Sequence, residues 1–399
     1  MAGYDDSYQT EQQAGKSLMK VDILTGRESC STFLLNKGGS FLIGHNLDER
    51  TAEAQPGSVF INKRGEQKSS VSFEEVFSGR RTGEKSLNWI SIHGSVTFSS
   101  LGKNFIDGGY NEAGLYIQEM SLEGGAMPAG AGGGARMFMT LWMQYVLDNF
   151  TSAAEAVQSL AEISIDGWPW HFFVCDAQDN HSCIDFVDGE ARVYSGAAMP
   201  HAVMTNYEYE QELDDLKPYQ GFGGNKAVDL NDPGDIEPPR NTRFIHACHL
   251  IENATDKPDV DDAFDILYAL DRGTLRPPGG RHWSYVIDAR AGRVYLETRT
   301  SPKRRYFDLD SFDFAAGKPS QLVDIHIDRE GDISALFEEV TPESNRAALE
   351  RCTAWWAALF EQVLLEMEAK GEAVPEIYRE GSWGLAVDGM AAHAGEAMG

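Results

Sequence analysis

Long apolar runs, basic charge and cysteine are what this chain has least of, and each shortage removes a class of protein. No apolar stretch approaches the roughly 20 residues that a membrane-spanning helix needs. The leader MAGYDDSYQTEQQAGKSLMK also lacks the apolar centre of a secretory signal. A cytoplasmic location and no membrane partner are therefore expected. Lys and Arg number 34 against 62 Asp and Glu, a formal net charge of -28. Such a surface repels a phosphate backbone, so nucleic acid is not an expected partner; the acidity reads as a heavily solvated surface. Five cysteines (Cys30, Cys175, Cys183, Cys248 and Cys352) are an odd number in 399 residues, which argues against a disulfide framework and for reduced thiols.

What is present is a globular composition, 42% hydrophobic, able to fill one large core or two. Residues 1–29 are polar and lack a periodic apolar face, so they read as a leader outside the main fold. The patterned chain starts at Cys30. STFLL and SFLIG are short β-rich runs separated by NKGG, whose glycines permit positive φ, and the pair predicts a tight antiparallel hairpin. Further strands are expected at 58–65, 94–100, 114–122, 171–177 and 182–189, and a second hairpin at 283–300 turns at Ala291-Gly292. Helical spacing marks 137–150, 151–163, 242–254 and 260–270. Strands, helices, then strands predict a layered α+β architecture.

Two irregular segments, 124–135 and 217–241, read as a Gly/Ala-rich connector and as a long loop. From about residue 340 a Thr-capped amphipathic helix of roughly 25 residues is expected. It sets Cys352, Trp355, Trp356, Leu359, Phe360, Val363 and Met367 on one face, to pack on the body or on a second subunit as a homo-oligomer. The Gly/Ala-rich end after residue 380 reads as a frayed tail.

The chemistry centres on Cys30. A cysteine opening a strand is by itself ordinary core sulfur. Here, however, the polar set His45, Asn46 and Asp48 follows the returning strand of the hairpin, and that return brings it level with Cys30. If the chain were cut between Ser29 and Cys30, one residue would carry both a thiol and an α-amine. The reference pKa of such an amine, roughly 7.7 to 8.0, suits a base near neutral pH. Asp48 would orient the pair, while His45 or a distant arginine would favour the thiolate.

The stretch CSTFLLNKGGSFLIGHNLDE resembles the opening of the choloylglycine hydrolase family, the linear amide carbon-nitrogen hydrolases that include penicillin V acylases and bile salt hydrolases. Further similar blocks follow in order: PGSVFINKRG, HGSVTFSSLGKNFIDGGYNEAGLYIQEMSL, LWMQYVLDNF, VMTNYEYEQEL, NTRFIHAC and SYVIDARAGRVYLETRTSPKRRYFDLDSFDF, so that the resemblance spans about residues 30–315. It implies an N-terminal nucleophile hydrolase with a four-layer αββα sandwich, acting on a small-molecule acyl amide through a cysteine thioester, with no metal and no cofactor. Carried over by position, Cys30 matches the nucleophile and Asp48 the aspartate that holds it. Asn206 matches the oxyanion asparagine and Arg243 the pocket arginine. His45 stands where family members commonly have arginine, which would make charge support for the thiolate depend on pH. Ser121 falls where bile salt hydrolases have asparagine and penicillin acylases tyrosine. The implied organisation is a leader at 1–29 removed by self-cleavage, a hydrolase domain at 30–335, a helical extension at 340–371 and a flexible tail at 380–399.

Other constellations read as structural. Asn111, Glu112 and Gly114 form a turn before a strand. His246, Cys248 and His249 do not converge as zinc ligands do. His171 is a weak partner for a papain-like pair with Cys30. Trp142, Trp168 and Trp170 are compatible with an apolar acyl group, and core packing is their commoner use. Two other functions stay open: an acyltransferase on the same scaffold, and a non-catalytic binding or oligomerising relative.

Overall fold

A computed structural model describes residues 30–48, 51, 53–80, 85–128, 134–231, 242–271, 281–370 and 382–398. Ser29 and the rest of the expected leader lie outside the described residues, as do 129–133 of the Gly/Ala-rich segment and 232–241 of the long irregular one.

The first hairpin forms as its turn residues dictate. Strands Ser31–Lys37 and Ser40–Asp48 pair antiparallel, with Ser31 opposite Asn46 and Thr32 opposite His45. Gly38 and Gly39 turn the chain at φ 61° and 90°. Glycine is required at the first position on two counts, since a Cβ on Gly38 would also lie 1.9 Å from the Asp256 carbonyl oxygen. The hairpin tip is tied down by Lys37 and Ser40, which donate to the Ala254 and Pro258 carbonyls at 2.6 Å each. His45, Asn46 and Asp48 therefore belong to the second strand itself rather than following it, and the register still brings them level with Cys30.

This hairpin lies inside a seven-stranded sheet. Its spatial order is Val203–Met204, Ser31–Lys37, Ser40–Asp48, Arg281–Asp288, Arg293–Thr298, Arg305–Asp308 and Gly331–Asp332. A second sheet of nine strands is antiparallel throughout and runs Glu190–Ser195, His181–Val187, Trp170–Cys175, Tyr116–Ser121, Gly108–Asn111, Ser95–Ser99, Ser58–Asn62, Gln321–Asp324 and Glu338–Glu339. The two face each other. Phe98 lies flat on Tyr285 with ring centroids 3.8 Å apart, and the Tyr116 hydroxyl meets Thr32 Oγ1 at 3.3 Å and the Tyr285 hydroxyl at 2.9 Å. Helices Thr242–Glu252 and Val260–Leu270 cover the outer side of the first sheet, and Met139–Asn149 and Ala153–Ser159 cover the second. The result is the four-layer αββα sandwich of an α+β protein. No helix among the described residues is long and apolar enough to cross a membrane.

Three local expectations change. Residues 135–138 form a short strand paired in parallel with Ile163–Asp166, so the helix expected from 137 begins at Met139. The pairing partner lies about 28 residues on in the chain, and helical periodicity carries no sign of it. The helix expected over 151–163 is shorter, Ala153–Ser159, started by a capping box between Ser152 and Glu155. The third change concerns the end of the chain. Its first helix, Pro342–Lys370, forms as expected, with Thr341 and Ser344 exchanging cap hydrogen bonds and Cys352, Trp356, Leu359 and Phe360 buried on the body. Trp355 is half-buried, and the side chains of Val363 and Met367 lie outside the described residues. The expected flexible tail is instead helix Ser382–Met398, with Trp383, Ala386, Val387, Met390 and Ala394 buried along one side. Alanine favours the helix, and small residues let it approach closely. Gly389 sits against the Val76 backbone, and Trp383 meets Phe77 edge-on at 5.2 Å.

Candidate active site

Cys30 is buried at the head of an inner strand, with its Sγ 3.8 Å from the Asp48 carbonyl oxygen. It lines a cavity walled by both sheets: Leu47 and Asp48 from the hairpin, Asp107, Glu119, Ser121 and Trp170 from the facing sheet and its loops, with Gln55 and Trp356 closing the remainder. Leu47 continues the register opposite Cys30, and cross-strand neighbours share a face, while Asp48 enters from the strand's end.

Behind Cys30 lies a chain of side-chain hydrogen bonds. Arg243, on helix Thr242–Glu252 and 2% exposed, donates to the Cys30 carbonyl oxygen, to Ser31 Oγ at 3.2 Å and to Asn206 Oδ1 at 2.9 Å. A guanidinium has only donors, so it fixes which end of the Asn206 amide faces it. The amide nitrogen then points to Ser121, reaching its carbonyl oxygen at 3.0 Å and its Oγ at 2.9 Å. Five residues, separated by up to 213 positions, are thus brought into one network that includes Cys30.

His45 departs from expectation. Its ring lies 5.2 Å from that of Tyr285, and neither nitrogen has a hydrogen-bond partner. Burial lowers its pKa to about 3, opposed by the nearby Ser31 backbone. The ring is neutral at working pH, so it gives the thiolate no charge and the expected pH-dependent support is withdrawn. The consequence falls on stability. An unfolded histidine gains its proton near pH 6.5, whereas the folded one waits until about 3. Between those values the unfolded state binds more protons, so stability falls as pH falls. From pH 7 to pH 5 this one group is expected to remove about 2 kcal/mol. Denaturant titrations at both pH values should show that loss, and a His45→Gln variant should reduce it by a similar amount.

Asp107 lines the cavity and is also perturbed. Burial raises its pKa to about 7, outweighing hydrogen bonds from the Ser100 amide at 2.7 Å and hydroxyl at 3.0 Å. Asp107, Glu119 and Gln55 were not marked in the sequence, where nothing distinguishes a cavity acid from the many solvated ones. His171 is not paired with Cys30. Its two nitrogens face Asp185 at 2.9 Å and the Thr205 carbonyl at 2.7 Å, so it braces the residue before Asn206. With Cys183 it makes a compact trio whose imidazole is already engaged on both sides. Trp170 reaches the cavity, whereas Trp142 is core and donates to Ser159 Oγ at 3.0 Å. Asn111 folds as a turn residue, accepting from the amides of Ala113 and Leu115, and Gly114 follows at φ 92°.

Two facing sheets between helical layers, with a cysteine opening an inner strand onto a cavity, make the sandwich of the N-terminal nucleophile hydrolase type. The family model for linear amide C-N hydrolases of the choloylglycine hydrolase family matches residues 30–321, and the chain belongs to that family. It is a linear amide C-N hydrolase. A penicillin V acylase from Pectobacterium atrosepticum is 25% identical over 61% of this chain and 73% of its own. Among solved structures, a penicillin V acylase from Agrobacterium tumefaciens superposes with a TM-score of 0.64 at 19% identity, covering 78% of this chain and 98% of that one. A variant of the conjugated bile acid hydrolase from Clostridium perfringens gives 0.58 at 16%, covering 74% and 96%.

Proposed function

We propose that the chain, once residues 1–29 are removed, hydrolyses the amide of a small acylated amine through a thioester on Cys30. The observation that carries this reading is a coincidence of position: the family match begins at residue 30, and that residue opens the strand at the cavity, with Arg243 holding its carbonyl.

Removal of the leader follows the same chemistry as turnover. The Cys30 thiol adds to the Ser29 carbonyl carbon, the C–N bond breaks as the C–S bond forms, and the thiol proton passes to nitrogen. Water then cleaves the thioester and leaves Cys30 with a terminal amine. In turnover that amine takes the thiol proton, sulfur adds to the substrate carbonyl, and the electron pair moves to oxygen. Asn206 Nδ2 donates to that oxyanion, with the Ser121 region completing the site. The tetrahedral adduct collapses, the leaving amine takes the proton, and water, deprotonated by the α-amine, releases the carboxylic acid. Asp48 orients the thiol and amine, and Arg243 fixes both the Cys30 backbone and the Asn206 amide.

Penicillin V and conjugated bile acids, named for the relatives, open the substrate panel with N-acyl homoserine lactones and N-acyl amino acids. Ser121 differs from the residue of either group, so neither preference is assigned to this chain. Intact mass spectrometry of active enzyme should give a chain starting at Cys30, with amine and carboxylic acid released in equal amounts. A chain still joined from Met1 through Cys30 and fully active would end the proposal. Product going to an added amine instead of water would make the protein an acyltransferase.

A further inference from the structure

Resting on that reading, we infer that Trp356, on the helix beyond the family span, sets the length of acyl group that this site accepts. The family match ends at residue 321, and the helix is Pro342–Lys370. The Agrobacterium structure, covered to 98%, accounts for 78% of this chain, so a fifth of the chain has no counterpart in it. Yet Trp356 lines the same cavity as Cys30. A segment beyond the family match forms a wall of the site.

That wall is held fixed. One turn before Trp356, the Cys352 thiol donates to the Pro56 carbonyl at 3.5 Å. Two turns earlier Asn345 accepts from the Lys103 amide at 2.9 Å, which ties the helix to the loop that leads to Asp107. Leu349 packs so closely on Gly102 that a Cβ there would lie 2.7 Å from it. Behind the indole, Trp168 stacks at 5.9 Å and 14°, with Trp170 a further 5.1 Å from Trp168. A ring wedged in this way does not swing aside for a long chain.

The remaining space is small. About 20 Å³ is left free within the cavity, room for roughly one water molecule. Its apolar walls are Leu47, Trp170 and Trp356, which suits a short or aromatic acyl group. Trp356 is 7% exposed and its indole nitrogen has no hydrogen-bond partner.

The test is a series of p-nitroanilides with acyl groups from acetyl to decanoyl, plus phenylacetyl and phenoxyacetyl, on the full chain. Wild type should fall off beyond a short chain. Trp356→Ala should raise the decanoyl-to-butanoyl ratio of kcat/KM by at least about tenfold, since one methylene in a pocket alters specificity by roughly 10- to 200-fold. Trp356→Phe should keep the wild-type length ranking, since an aromatic ring of similar reach stays in the wall. An unchanged ratio in a Trp356→Ala protein of unaltered melting temperature would overturn the inference and leave the hydrolase reading intact. If Trp356→Ala does not fold, Trp356→Leu carries the same comparison. Should wild type cleave none of the series, the hydrolase reading is decided by its own substrate panel, and the wall is tested by binding. Calorimetric binding of butanamide and decanamide to wild type and variant then decides the wall by the same ratio.

Discussion

Replacing Cys30 by alanine is expected to abolish amide hydrolysis and, in the same protein, to leave residues 1–29 attached. Both outcomes follow because one sulfur is asked to open two bonds: the Ser29 linkage once, and the substrate amide at each turnover. Loss of a nucleophile that forms a covalent intermediate typically lowers kcat by at least about 10⁴-fold, since the remaining hydrogen-bond donors act on a carbonyl that nothing attacks. Chain length by intact mass and turnover by product release should therefore change together. Cys30→Ser separates them, because a hydroxyl can still add to the adjoining Ser29 carbonyl but is a poor attacking group without thiolate character. A Cys30→Ala enzyme that turns over at wild-type rate would sink the thioester mechanism, and one that is trimmed as wild type would sink self-cleavage.

Asn206→Ala should lower kcat by about 10²- to 10³-fold with little change in KM, the signature of an interaction made in the transition state and not in the ground state. The geometry explains why the effect belongs to Asn206 in particular. Arg243 occupies its carbonyl end at 2.9 Å, so the amide N–H groups stay turned to Ser121, which lines the cavity, and one of them exchanges its bond to Ser121 for one to the oxyanion. Alanine removes the donor and takes from Arg243 a buried acceptor, so melting temperature must be measured beside the kinetics to tell catalysis from folding. Arg243→Lys gives a second reading of the same device. A lysine keeps the charge but cannot span the Cys30 carbonyl, Ser31 and Asn206 from one planar group. Its kcat should fall less than that of Asn206→Ala. A kcat within threefold of wild type for Asn206→Ala would remove that residue from the oxyanion site.

Much of the architecture was legible from local chemistry. The NKGG turn could be read because only glycine takes its two positive φ values, and the terminal helix at Pro342–Lys370 because its apolar face repeats at helical spacing. The tail at Ser382–Met398 was misread for a physical reason: a Gly/Ala-rich stretch looks featureless until a partner surface makes smallness useful. The site was legible in part. Cys30, Asp48, Asn206, Arg243 and Ser121 were marked by ordered blocks resembling a family. His45 was marked by the same blocks, yet its burial, which keeps it neutral, depends on a second sheet that arrives later in the chain. Asp107 and Trp356 carried no such mark, because an acid among 62 and an indole on a helical face announce nothing about the cavity they border.

By itself the sequence determined the pairs that lie near one another in the chain: the hairpin, its register, and hence the nearness of Cys30 to the strand that ends at Asp48. Turn chemistry and alternation are local, so they need no knowledge of the rest. Tertiary structure decided everything that depends on contact across long separations, above all the reach of Arg243 to Cys30, the closing of the cavity by Trp356, and the charge state of His45. Burial and cavity shape are set by which surfaces meet, and no window of sequence contains both.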